Sequence, residues 1–131
     1  MRVLDTTLLI DFLKGNKDAI RKMQDLEGDE IATTMHNVFE VTVGIYKKNK
    51  GTESELISFE RMLAGMAFLD FDWNSSLMAA QISVQMIRSG KEINLVDCFI
   101  AGSMASKGYD TIVTRDVGHF NRIKGIKVEK Y

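Results

Sequence analysis

The sequence predicts an α/β protein in which a parallel sheet is covered by helices on both faces. Two observations carry this reading. Short strand-type runs alternate with longer stretches of helical apolar spacing from one end of the chain to the other, the pattern that builds parallel sheets through crossover connections. The 131 residues also contain no proline, no linker, no repeat and no low-complexity segment, which predicts a single domain over 1–131.

Taken in order, Arg2-Val3-Leu4 runs straight into Asp5-Thr6-Thr7 and reads as a short buried strand ending in a polar turn. Leu8, Leu9, Phe12 and Leu13 then give a short amphipathic helix that Gly15 stops. Asn16 is placed to cap the next helix, Lys17 to about Leu26, with Ile20, Met23 and Leu26 inward. Ile31–Thr34 is a second strand, and Met35 to Lys47 a helix rich in β-branched residues, a composition that burial on most sides would explain. A basic turn leads to a helix over Glu53 to Met66, a third strand over Ala67–Phe71, and a helix capped by Asn74 or Ser75 that runs to Arg88 with Leu77, Ile82, Met86 and Ile87 as core candidates. Asn94 caps a further helix through Ser106, Thr111–Thr114 is the fourth strand, Val117 to Arg122 a last short helix, and Lys127–Glu129 a charged edge strand. Gly44 sits inside a helix, where glycine costs about 1 kcal/mol relative to alanine, and close approach of another helix is the expected compensation.

Composition narrows the function classes. With 45% hydrophobic and 27% charged residues the chain reads as an ordinary soluble protein, and no apolar run is long enough to span a bilayer. One cysteine, Cys98, excludes an internal disulfide framework, reads as a small buried hydrophobe and suits a reducing cytoplasm. A net charge of −1 is not the footprint of a protein that grips nucleic acid by bulk charge, but neutralising a cluster of acids would leave the remainder positive.

That cluster is the candidate site. In an open α/β sheet ligands bind at the carboxyl edge, where strand order reverses. Asp5 and Asp116 follow strands, while Glu40 and Asp97 lie in the first turns of helices that start at the same edge. Singly, Asp5, Asp97 and Asp116 can be helix caps or part of a capping box, and Glu40 a solvated residue, although its apolar neighbours suggest burial. Jointly they form a hard oxygen site that suits Mg²⁺ or Mn²⁺, one or two ions, and not zinc.

Asp5-Thr6-Thr7, Glu40-Val41-Thr42-Val43-Gly44, Asp97-Cys98-Phe99-Ile100-Ala101 and Thr114-Arg115-Asp116-Val117-Gly118-His119-Phe120 resemble, in order and spacing, the successive motifs of PIN-domain ribonucleases. Order, spacing and near-minimal length are most similar to the VapC-type toxins of toxin–antitoxin pairs. The departures are small: Val41 stands where leucine is common, and Asn94-Leu95-Val96 is one variant of the lead into Asp97. The resemblance implies a three-layer α/β/α PIN-like fold with a central parallel sheet of four to five strands, metal-dependent cleavage of RNA, a homodimer, and inhibition by a cognate VapB-like antitoxin. It carries the family's acids onto Asp5, Glu40, Asp97 and Asp116, with Thr6 and Thr114 as polar support. Arg115, beside the site, is the candidate RNA contact, and Lys14, Lys47, Lys48, Arg88 and Lys91 read as surface charge. A non-catalytic RNA- or partner-binding module is the alternative.

Rival chemistries are testable by position. His36, one helical turn from Glu40, and His119, three residues after Asp116, could serve a metal-independent ribonuclease, but that mechanism leaves the converging carboxylates without a purpose, so structural or supporting roles are expected for both. Dehalogenase-type phosphatases want an aspartate where Thr7 stands, the acid pair and late lysine of a receiver domain are missing, and no glycine-rich phosphate loop occurs. The methionines of the helices over Glu53–Met66 and Asn74–Arg88 predict exposed apolar surface, a dimer contact, and a groove beside those helices for an antitoxin segment.

Overall fold

The computed structural model describes residues Met1–Tyr131. The elements are β1 (Arg2–Leu4), α1 (Thr6–Leu13), α2 (Lys17–Asp25), β2 (Ile31–Thr34), α3 (Met35–Lys47), α4 (Thr52–Leu63), β3 (Ala67–Leu69), α5 (Trp73–Arg88), α6 (Leu95–Ser106), β4 (Thr111–Val113), α7 (Val117–Phe120) and β5 (Lys127–Glu129). The five strands lie in the order β3-β2-β1-β4-β5 and every neighbouring pair is parallel. This is the expected layered α/β/α arrangement, with charged β5 at an edge.

Strand alternation builds two cores. Successive residues point to opposite faces, so Val3 and Ile112 enter the core that contains Met86, Ile100, Met104 and Phe120 of α5, α6 and α7. Leu4 and Val113 enter the other, with Leu8, Leu9, Val41, Ile45 and Phe59 of α1, α3 and α4. The chain thus leaves β1 toward one face and β4 toward the other, and the crevice between these two strand ends is the topological switch point.

Several boundaries differ from those the sequence predicts. Helix α4 stops at Leu63, because Ala64 is extended and Gly65 takes φ 86°, a left-handed conformation that glycine adopts without strain. Strand β3 stops at Leu69, and Asp72, rather than Asn74 or Ser75, caps α5 by accepting from the Ser75 N–H at 3.0 Å. Helix α7 ends at Phe120. On α5, Met86 is buried and Ile82 partly so, but Leu77 and Ile87 are exposed.

The two interior glycines exchange roles. A Cβ on Gly44 would meet nothing within 4 Å, so no helix crosses there; Gly44 instead helps line a groove of about 430 Å³ with Ile10, Leu13, Val41, Ile45 and Glu55. The close approach is at Gly102, where a Cβ would lie 2.6 Å from both Ala79 Cβ and the Ser75 carbonyl. Glycine is required there because α5 and α6 pack backbone against backbone. Cys98 is buried as expected, and no helix is long and apolar enough to cross a membrane.

Candidate active site

Asp5 ends β1 with 6% of its surface exposed. Its backbone N–H donates to the Val113 carbonyl at 3.0 Å, which ties the first polar residue of the turn to β4. Although it occupies the N-cap position of α1, its carboxylate makes no standard capping bond. The Thr114 hydroxyl donates to Oδ2 at 2.7 Å, and the Asn37 amide donates to Oδ1 at 2.9 Å. Burial pushes the Asp5 carboxyl above the usual carboxylate range, against the pull of Thr114, the Thr6 N–H and Asn37, and the charge of Asp97 adds to the rise.

The Thr114 hydroxyl also accepts from the Asp116 N–H at 3.0 Å and lies 3.2 Å from the Thr7 hydroxyl. Its own hydrogen is committed to Asp5, so Thr7 supplies the hydrogen of that contact while accepting from the Arg115 N–H at 3.0 Å. The turn after β4 is thereby locked onto the turn after β1.

Asp97, buried in the first turn of α6, does not close a capping box; Asn94 caps that helix through the Val96 N–H. Its Oδ2 lies 2.9 Å from His119 Nδ1. Burial raises the Asp97 carboxyl, His119 opposes the rise, and Asp116 adds to it. Glu40 is exposed, contrary to the burial that its neighbours suggest, because Phe39 and Val43 beside it also face solvent. Its carboxylate nevertheless accepts from the Thr6 hydroxyl at 3.0 Å, and desolvation, with the charges of Asp5 and Asp97, raises it. Asp116 is exposed at the start of α7 and makes no side-chain cap.

The four acids therefore stand within one another's fields at the switch crevice, and no lysine or arginine pairs with any of them. No three side chains from His, Cys, Asp and Glu converge closely enough to chelate one ion by direct contact alone. That donor set still fits Mg²⁺ or Mn²⁺, which take hard oxygen ligands and keep several waters while bound through one or two carboxylates. A nearly buried Asp5 without a cationic partner is the feature that asks for one.

The fold agrees with the comparisons. The PIN domain family matches residues 2–126. The chain belongs to the PIN-domain family. This PIN domain is 27% identical to the tRNA(fMet)-specific endonuclease VapC of Salmonella typhimurium over 129 residues, 98% of this chain and 96% of that protein. It is 31% identical to ribonuclease VapC3 of Methanocaldococcus jannaschii over 99 residues, 76% of this chain and 93% of the relative. The crystal structure of DNA-bound VapBC from Salmonella typhimurium superposes with a TM-score of 0.85 at 27% identity, covering 98% of this chain and 96% of the other.

Two further residues of this PIN domain are held away from the four acids, His36 in the structural role that the sequence predicts. Arg115 turns from the acids to Asp11, 2.9 Å away, and its guanidinium lies over the Tyr131 ring at 5.4 Å. His36 packs between Phe71 and Phe99 at 5.2 Å from each, and burial lowers its pKa. A neutral ring in an aromatic cluster is ill placed for acid–base work on the acids.

Asn37 is the site residue that sequence reasoning missed. It has no exposed surface, donates to Asp5 and to Thr6 Oγ1 at 3.0 Å, and accepts from the Thr34 hydroxyl at 2.7 Å. The available signal was its spacing three residues before Glu40, which puts both on one side of α3.

Proposed function

We propose that this PIN domain is a Mg²⁺- or Mn²⁺-dependent endoribonuclease of the VapC type, acting in the cytoplasm and held in check by a VapB-like antitoxin. The observation that carries the reading is the buried carboxylate of Asp5, paired with no lysine or arginine, at the switch crevice with Glu40, Asp97 and Asp116 around it. The nuclease names of the relatives support the reaction class.

In this reading the four acids would hold one or two ions directly or through water. Bound there, such an ion would supply the Lewis acidity that phosphodiester hydrolysis by water needs. The chain's own work is orientation. Thr114 and Asn37 grip Asp5 by one oxygen each, Thr6 holds Glu40, and His119 holds Asp97. Asp11 and Tyr131 anchor Arg115 while leaving about half of its side chain exposed, which suits contact with the RNA backbone.

For partners, the exposed apolar side chains include Phe39, Val43 and Tyr46 along one face of α3, and Trp73 and Leu77 on α5. Phe39 and Trp73 are 66% and 76% exposed, more than a lone domain leaves in water without cause, and burial in a symmetric homodimer accounts for them. Of the methionines expected to supply this surface, Met78 is exposed, whereas Met66 and Met86 are buried and Met62 partly so. The groove that suits an antitoxin segment lies between α1, α3 and α4, at Gly44, beside the first of the two methionine-rich helices and away from α5. Solved relatives assembled as VapBC complexes support that occupant.

Purified protein incubated with single-stranded RNA and with tRNA tests the reaction. Cleavage that stops in EDTA, returns with Mn²⁺ and leaves 5′-phosphate and 3′-hydroxyl ends is the expected result. Cleavage that survives EDTA, fails in His36→Ala and leaves 2′,3′-cyclic phosphate ends would overturn it.

A further inference from the structure

With Arg115 committed to Asp11, the one basic side chain that faces the acids is His119. Its Nδ1 lies 2.9 Å from Asp97 Oδ2, and the side chain keeps 54% of its surface in solvent. Asp5 is gripped at both oxygens, whereas His119 is the sole side chain bonded to Asp97, and Asp97 Oδ1 has no protein partner. A carboxylate buried on a helix and held at one oxygen has its rotation set and its other oxygen open to a ligand.

We infer that His119 is a positioning residue for the divalent ion, acting through Asp97. A carboxylate only accepts, so the tautomer that performs this role carries its hydrogen on Nδ1 and donates to Oδ2. Outer hydrogen bonds of this kind orient metal-ligating groups, and their loss typically weakens metal binding by roughly 10–100-fold. The inference rests on the proposed metal-binding role of the acids. It adds that the fourth motif, Thr114 to Phe120, would serve the ion through His119 and Asp97 as well as through Asp116.

Two substitutions of similar size separate a donor from mere bulk. His119→Asn keeps an N–H donor on the δ position, and His119→Leu fills the same space without one. Mn²⁺ affinity is measured by calorimetry at fixed pH on the full chain, with thermal melting of the metal-free proteins as the check on folding. The expected result is that the leucine variant binds Mn²⁺ at least about 10-fold more weakly than wild type, while the asparagine variant recovers most of that loss. Equal affinity in wild type and the leucine variant, or equal loss in both variants, would overturn the inference while leaving the acidic site intact. Failure of the wild type to bind Mn²⁺ would instead sink the metal reading and this inference with it.

Discussion

The Asn37 amide donates to Asp5 Oδ1 at 2.9 Å from a position with no exposed surface, and the same side chain accepts from the Thr34 hydroxyl. Asn37→Ala strips a buried donor from Asp5 and a buried acceptor from Thr34. Leaving such groups unpaired costs about 1–3 kcal/mol, and urea denaturation is the measurement. Asn37→Asp keeps the shape but sets a second carboxylate against Asp5. It should lose stability in EDTA and recover part of it in Mn²⁺, because a divalent cation screens the added charge.

Asp97 gives a second expectation. Ions that bind only the folded state raise its melting temperature by mass action, so Mg²⁺ or Mn²⁺ should stabilise the wild type and do so much less for Asp97→Asn. Equal shifts in the two proteins would remove the shared site. Asparagine at Asp5, Asp97 or Asp116 should also leave folded protein that no longer cleaves RNA.

The raised carboxyls of Asp5, Glu40 and Asp97 set a pH dependence for the metal-free protein. Between the ordinary carboxylate range and the raised values the folded state holds more protons than the unfolded chain, so their contribution to stability falls as pH rises through that interval. Asp72 and Glu129 act in the opposite sense at lower pH. Asp72 is held down to about 2 by the N–H and hydroxyl of Ser75 and by Lys107, and Glu129, despite burial, is held down by Lys22 and Arg2. Their stabilising contributions are lost as pH falls through those depressed values. Burial of His36 works against the effect of the raised carboxyls, since its lowered pKa makes stability rise with pH, so in His36→Phe denaturation in EDTA should show a stability that falls as pH rises through that interval, with the fall shrinking in Mn²⁺. A metal-free stability of that variant that climbs steadily toward pH 7 would contradict this.

Gly102 and Gly44 should respond with opposite signs to the same change. A Cβ at Gly102 meets backbone of α5 at 2.6 Å, which cannot move aside without separating two helices, so Gly102→Ala should cost about 1–3 kcal/mol. At Gly44 the space is open and the residue lies inside a helix, so Gly44→Ala should gain roughly 0.5–1 kcal/mol. Gly44→Leu, which fills the groove, should leave RNA cleavage intact and weaken inhibition by the antitoxin.

The alternation of strands and helices, the acids after β1 and β4, and the caps at Asn16 and Asn94 were all legible in the sequence. Each rests on periodicity or on the few residues next to it, and local chain geometry is enough to decide such features. The tertiary structure alone decided which distant side chains meet. His119 reaches Asp97 across 22 positions, Asn37 reaches Asp5 across 32, and Arg115 turns to Asp11 because α1 and the β4 turn are locked by Thr7 and Thr114. The same cause governs Glu40 and the two glycines. Whether a helix position faces solvent, a groove or another backbone depends on where the neighbouring helices cross it, and that crossing is set by packing between segments far apart in the chain.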